Sequence, residues 1–166
     1  MDQRRPNPIK HAGRYTRPAV LAFSLIELVM VMAIISVLAA IAVPRYAGAL
    51  SRYRADAAAQ RLVADLGYAR ERARTTSTSV VVSFQDSEKR VQLVGVPSLD
   101  NPEVEWTTDL SARPYRTDTM ADNFSGHKVT FDGYGTPDAT GKIVIIVGGE
   151  SRTVRLDTNS GKAVVE

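Results

Sequence analysis

The 166-residue sequence predicts an α+β fold, in which a long N-terminal helix, first hydrophobic and then amphipathic, packs against a C-terminal antiparallel β-sheet domain. Three observations carry this expectation. Residues 23–43 form an apolar run with a single charge, residues 44–75 keep apolar residues at helical spacing, and beyond Thr75 the chain turns to short β-branched runs separated by turn residues. The expected divisions are a leader at 1–22, a transmembrane helix at 23–43, a stem helix at 44–75 and a globular β domain at 76–166 with a long insert near 97–127.

The first 22 residues hold five bases, Arg4, Arg5, Lys10, Arg14 and Arg17, against one acid, Asp2. The remainder has 16 bases and 17 acids, a net charge of −1, so the isoelectric point near 9.3 belongs to the N-terminal segment. Basicity confined there reads as targeting and not as a nucleic-acid footprint spread over a domain. With no cysteine there is no disulfide framework and no thiolate metal site.

Residues 23–43 read FSLIELVMVMAIISVLAAIAV, with Glu27 the only charge. As a helix this run spans roughly 30 Å, the thickness of a bilayer's hydrocarbon core. The preceding bases orient it with the N-terminus in the cytoplasm and the rest of the chain outside. A cleaved signal peptide, with Ala40-Ile41-Ala42 as its cleavage site, competes with this reading, but its apolar core runs only about 7 to 15 residues and carries no acid. A plain signal anchor is the other alternative, and it leaves the cost of an intramembrane carboxylate unexplained.

Ala22-Phe23-Ser24-Leu25-Ile26-Glu27-Leu28 resembles the cleavage and methylation motif of type IV prepilins and type II secretion pseudopilins, which reads Gly, then Phe-Thr-Leu-Ile-Glu. The resemblance implies that a prepilin peptidase cuts between Ala22 and Phe23 on the cytoplasmic side and methylates the new Phe23 amine. It also implies that Glu27 neutralises that amine on a neighbouring subunit during assembly, since opposite charges sharing a dry site relieve each other's desolvation. Ala22 departs from the usual glycine. Pro44 falls where many family members carry a proline that kinks the helix as it leaves the membrane.

In the stem, Tyr46, Leu50, Tyr53, Ala57, Leu62, Leu66, Ala69 and Ala73 fall at helical spacing among seven bases and three acids. Beyond it six strands are expected, at 78–84, 90–96, 128–132, 143–147, 153–157 and 163–165, forming an antiparallel meander over the helix. Asp86-Ser87-Glu88, Gly148-Gly149-Glu150 and Asn159-Ser160-Gly161 supply the turns. The insert between Pro97 and His127 holds Trp106 and many acids without periodicity, and reads as a functional or disordered loop. Ala69-Arg70-Glu71-Arg72-Ala73, residues 80–84, Phe131-Asp132-Gly133-Tyr134-Gly135-Thr136-Pro137 and residues 157–164 resemble stretches of the H-type minor pseudopilins of type II secretion. Many major pilins, by contrast, resemble one another in a C-terminal disulfide loop, for which this chain has no cysteine.

The only histidines are His11, in the leader, and His127, and no nucleophile elbow accompanies them. The expectation is therefore a non-enzyme with no cofactor, no small-molecule substrate and no metal site, since the Asp132–Asp138 turn lacks the alternating oxygen ligands of a calcium loop. Calcium held by the acidic insert is the remaining metal alternative. The expected partners are the prepilin peptidase, other pilins or pseudopilins through the N-terminal helix, and the bacterial inner membrane. Some minor pilins bind DNA in natural transformation. Arg70, Arg72 and Arg74 at the end of the stem, with Arg152 and Arg155 on one face of a strand, are the candidate contacts for DNA or a neighbouring subunit, although the net charge of −1 argues against a strong phosphate-binding surface.

Overall fold

The structure is a computed structural model that describes residues 23–166, and it consists of two compact units divided after Ala40. The leader, its bases, His11 and Ala22 lie outside the described residues. One helix, α1 (Leu25–Thr76), runs through both units and contains Pro44. Ser24 precedes it as N-cap: its Oγ accepts the Glu27 backbone amide at 3.2 Å, three residues on. Ser24 thus satisfies one of the orphan donors of the first turn. In the first unit every residue of the apolar run is exposed, the large side chains from Leu25 at 81% to Val31 at 44%.

In the second unit α1 buries Ala55, Ala58, Ala59, Leu62, Asp65, Leu66, Ala69 and Ala73. This face differs from the expected one in its first half: Tyr46 and Tyr53 are exposed and Ala57 is only half-buried. The spacing from Leu62 back to Ala59, Ala58 and Ala55 is three, four and seven residues, the helical period. Tyr46, Leu50, Tyr53 and Ala57 keep that period among themselves but reach Leu62 by a step of five, which turns them off the buried stripe.

Eight strands follow: β1 (Val80–Gln85), β2 (Arg90–Pro97), β3 (Glu105–Asp109), β4 (Thr119–Asp122), β5 (Lys128–Phe131), β6 (Gly141–Val147), β7 (Glu150–Leu156) and β8 (Ala163–Val165). A 3-10 turn at Ser125–His127 precedes β5. Instead of one meander they make two four-stranded antiparallel sheets, ordered β3-β2-β1-β5 and β4-β6-β7-β8. The expected loop of the insert is replaced by β3 and β4, one at an edge of each sheet. Both sheets pack against α1 in one core that includes Val82, Leu93, Phe131, Ile143, Ile145 and Leu156. Alternation of buried with partly or fully exposed residues along β1 and β6 puts one face of each sheet on that core.

Two glycine positions are dictated by geometry. Gly148 and Gly149 both have positive φ, 57° and 85°, and join Val147 to Glu150 in the two-residue hairpin that needs such values at both places. At Gly141 a Cβ would stand 2.4 Å from the ring of Phe124, which stacks on Phe84 with centroids 5.3 Å apart.

Candidate assembly site

Phe23, Ser24 and Glu27 stand together at the start of α1, all exposed, with Glu27 in the first helical turn, where a carboxylate faces the positive end of the helix dipole. The apolar side chains that follow are exposed in the isolated chain, so this segment requires either lipid or other apolar helices around it. It is long and apolar enough to cross a membrane, and none of its most apolar window is buried. Chemically the segment offers one carboxylate in apolar surroundings and no catalytic group.

The five candidate arginines have separate engagements. Arg70 Nε donates to the Gly135 carbonyl at 3.3 Å, and Arg74 lies 3.7 Å from Glu71. Arg152 pairs with Asp56 of α1, and Arg155 with Glu166. Arg72 is exposed, with no ion pair among the described residues. Arg152 and Arg155 do not share a face of β7: an odd spacing puts them on opposite sides, with Arg152 on the side of buried Val154 and Leu156. The Asp56 carboxylate holds the Arg152 guanidinium above its ordinary range. Three other arginines, Arg54, Arg113 and Arg116, line an open pocket of about 360 Å³ with Leu50, Tyr53 and Pro114.

Sequence reasoning missed the most constrained polar group. Asp65 is 2% exposed, on the buried stripe of α1. Its Oδ1 accepts Trp106 Nε1 from β3 at 3.3 Å and lies 3.2 Å from Arg61 Nε, while Oδ2 is buried without a partner. Trp106 is sandwiched further: Tyr68 stands 4.7 Å from it between ring centroids, and the Arg61 guanidinium lies 5.5 Å from its indole centroid. This cluster clamps the edge strand β3 to the stem. The available signal was an acid three residues after Leu62 and one before Leu66, inside an otherwise apolar stripe.

Burial pushes the Asp65 carboxyl above the ordinary 3.8, outweighing the opposite pulls of Thr108, Arg61 and Trp106. For an acid whose native value is raised, the favourable contribution is complete below 3.8 and is lost as pH rises through the raised native value. Asp65→Asn, which keeps the shape and an acceptor for Trp106 but carries no charge, is therefore expected to gain stability relative to the native chain as pH is raised from about 4 to 7. Urea denaturation at several pH values measures this. A stability difference independent of pH would contradict the assignment.

A long helix that starts as an exposed apolar segment and then buries one face under antiparallel sheets defines a pilin-like subunit. The same fold occurs in two crystal forms of the type IV minor pilin FimU of Pseudomonas aeruginosa strain PAO1. One superimposes with a TM-score of 0.54 at 21% identity over 69% of this chain and 90% of that one. The other gives 0.51 at 20% identity over 67% and 91%. The chain belongs to the family of type II transport protein GspH, whose family model matches residues 58–161. A comparison with curated proteins finds no match.

Proposed function

We propose that this chain is a structural minor subunit of a type II secretion pseudopilus or a type IV pilus, cut by a prepilin peptidase between Ala22 and Phe23 and N-methylated at Phe23. The mature helix anchors the subunit in the inner membrane with the β domain outside the cytoplasm, and then packs against the helices of other subunits. The observation that carries this reading is the exposed apolar start of α1, where Glu27 is the only charge in residues 23–43. In a bundle of such helices the carboxylate is costly alone and favourable beside the cationic amine of a neighbour's Phe23. Family membership favours the secretion machine, and the FimU fold is equally that of a pilus subunit.

Three of the five candidate arginines, Arg74, Arg152 and Arg155, do not favour the DNA-binding alternative. Arg152 and Arg155 are engaged with Asp56 and Glu166, Arg74 is beside Glu71, and a phosphate-binding surface needs unneutralised bases side by side.

Mass spectrometry of the membrane-extracted protein, from cells with and without the peptidase, tests the processing. The expected mature chain begins at methylated Phe23 and is replaced by the uncut chain when the peptidase is absent. A start at Val43, or at Met1 in both strains, would return the signal-peptide or simple-anchor reading. Ala22→Leu is expected to leave the chain uncut, because a residue of that bulk replaces the small one that the motif carries before the cut. Normal cutting of this variant would place the processing elsewhere.

A further inference from the structure

Asp86 stands 36 residues before Asp122, which is five before His127, and the three meet where the two sheets approach each other. Asp86 opens the β1–β2 turn, Asp122 ends β4, and His127 ends the 3-10 turn before β5. His127 Nδ1 lies 2.8 Å from Asp122 Oδ2 and 3.7 Å from Asp86 Oδ2, and one ligating atom from each residue falls within 4.8 Å of the other two.

The surroundings are built, not incidental. The Asp122 side chain is completely buried, its Oδ1 accepts the Phe124 amide at 2.8 Å, and its own amide donates to Asp86 Oδ2 at 3.3 Å. Asp86 Oδ1 is shielded from solvent and has no hydrogen-bond partner. A shielded carboxylate oxygen without a donor is costly, and two carboxylates that face each other there repel. His127 has φ 51°, in the left-handed region that a histidine adopts uncommonly, next to Gly126 at 66°. Its side chain is 62% exposed, which leaves the outer side of the cluster open to water.

We propose that Asp86, Asp122 and His127 bind a divalent transition-metal ion of the zinc class. An ion about 2.0–2.2 Å from each ligand sets them roughly 3–3.6 Å apart, so the 2.8 and 3.7 Å separations from His127 need to move by only tenths of an ångström, while the two carboxylates, whose ligand atoms lie within 4.8 Å, close on the ion by at most about 1–2 Å. The ion compensates both carboxylates and gives Asp86 Oδ1 an electrostatic partner. Imidazole in the set selects zinc-like ions over calcium and magnesium, which take oxygen ligands. Bound there, the ion ties the β1–β2 turn of one sheet to the last residue of β4 in the other. No metal site was expected from the sequence, which has no cluster of histidines or cysteines.

Isothermal titration of the untagged, chelator-treated full chain in detergent with zinc chloride tests the site, on a His11→Asn background that removes the other histidine. The expected result is saturable 1:1 binding, weakened about tenfold or more by His127→Asn and separately by Asp86→Asn. Zinc at about 100 times its dissociation constant should also raise the melting temperature by roughly 10 °C. The apo forms of the two variants are expected to melt cooperatively as folded domains, which separates lost binding from lost folding. If zinc does not bind, if binding survives both substitutions, or if calcium binds as tightly, the proposal fails. The first of those outcomes leaves a simple ion pair between protonated His127 and the two carboxylates.

Discussion

Glu27→Gln is expected to lower incorporation of the subunit into filaments by roughly a hundredfold. The substitution keeps the side chain's shape and removes its charge. It also leaves the Ser24 cap of the helix intact, because Ser24 caps through the Glu27 backbone amide and not through the carboxylate, and the helix start loses only the modest interaction of that charge with the helix dipole. In the proposed assembly what is lost is the partner for the amine at the neighbour's Phe23, and an uncompensated charge buried at an interface costs about 3 kcal/mol or more, which is the stated factor. Quantifying the variant in sheared filaments against its membrane pool measures the effect, and the Phe23 terminus in the membrane pool confirms that processing is unaltered. Incorporation at the native level would remove Glu27 from assembly.

Phe131→Ala is expected to destabilise the β domain by about 3–5 kcal/mol, a large share of the 5–15 kcal/mol that holds a typical domain together. Phe131 is fully buried and heads the large side chains of the core. It lies on β5 opposite Val80 of β1, and bridges to Pro137. Removing the ring opens a cavity in a core whose neighbours are held by α1 and both sheets and can only partly collapse around it. Trp106 is the only tryptophan in the chain and packs on Tyr68, so its emission follows unfolding without a label. A urea midpoint lowered by about 2 M is the expected reading, and a shift under about 0.5 M would mean that Phe131 is not a core residue.

Local patterns were legible and distant meetings were not. The strands of the sheet interiors, β1 and β6 above all, show themselves because one face must be apolar when it covers a core. β3 and β4 do not: as edge strands they bury little, Thr108 in the first and Met120 in the second, and are held by cross-strand hydrogen bonds to β2 and β6. Polar pairs of this kind leave no hydrophobic period. The upper stem misled for a different reason. The alanines at 55, 57, 58 and 59 offer nearly any helical phase, and only the distance to Leu62 and Leu66 decides among them. Phe23 and Glu27 stood out because their motif is contiguous. Asp65 with Trp106, and Asp86 with Asp122 and His127, join residues separated by up to 41 positions, and only the folded chain brings them together.

The Ser24 cap has a consequence for any mutational reading of the N-terminus. Under the proposed processing, four consecutive residues carry two messages, one addressed to the peptidase and one to the backbone of the helix that they begin. A Ser24→Ala change garbles both at once: it alters the proposed recognition sequence and leaves the Glu27 amide without its acceptor, at a cost of about 1 kcal/mol to the first turn. Ser24→Thr rewrites only the first message, since a threonine hydroxyl caps almost as well. Comparing the two variants therefore separates how the segment is read by an enzyme from how it spells the start of a helix.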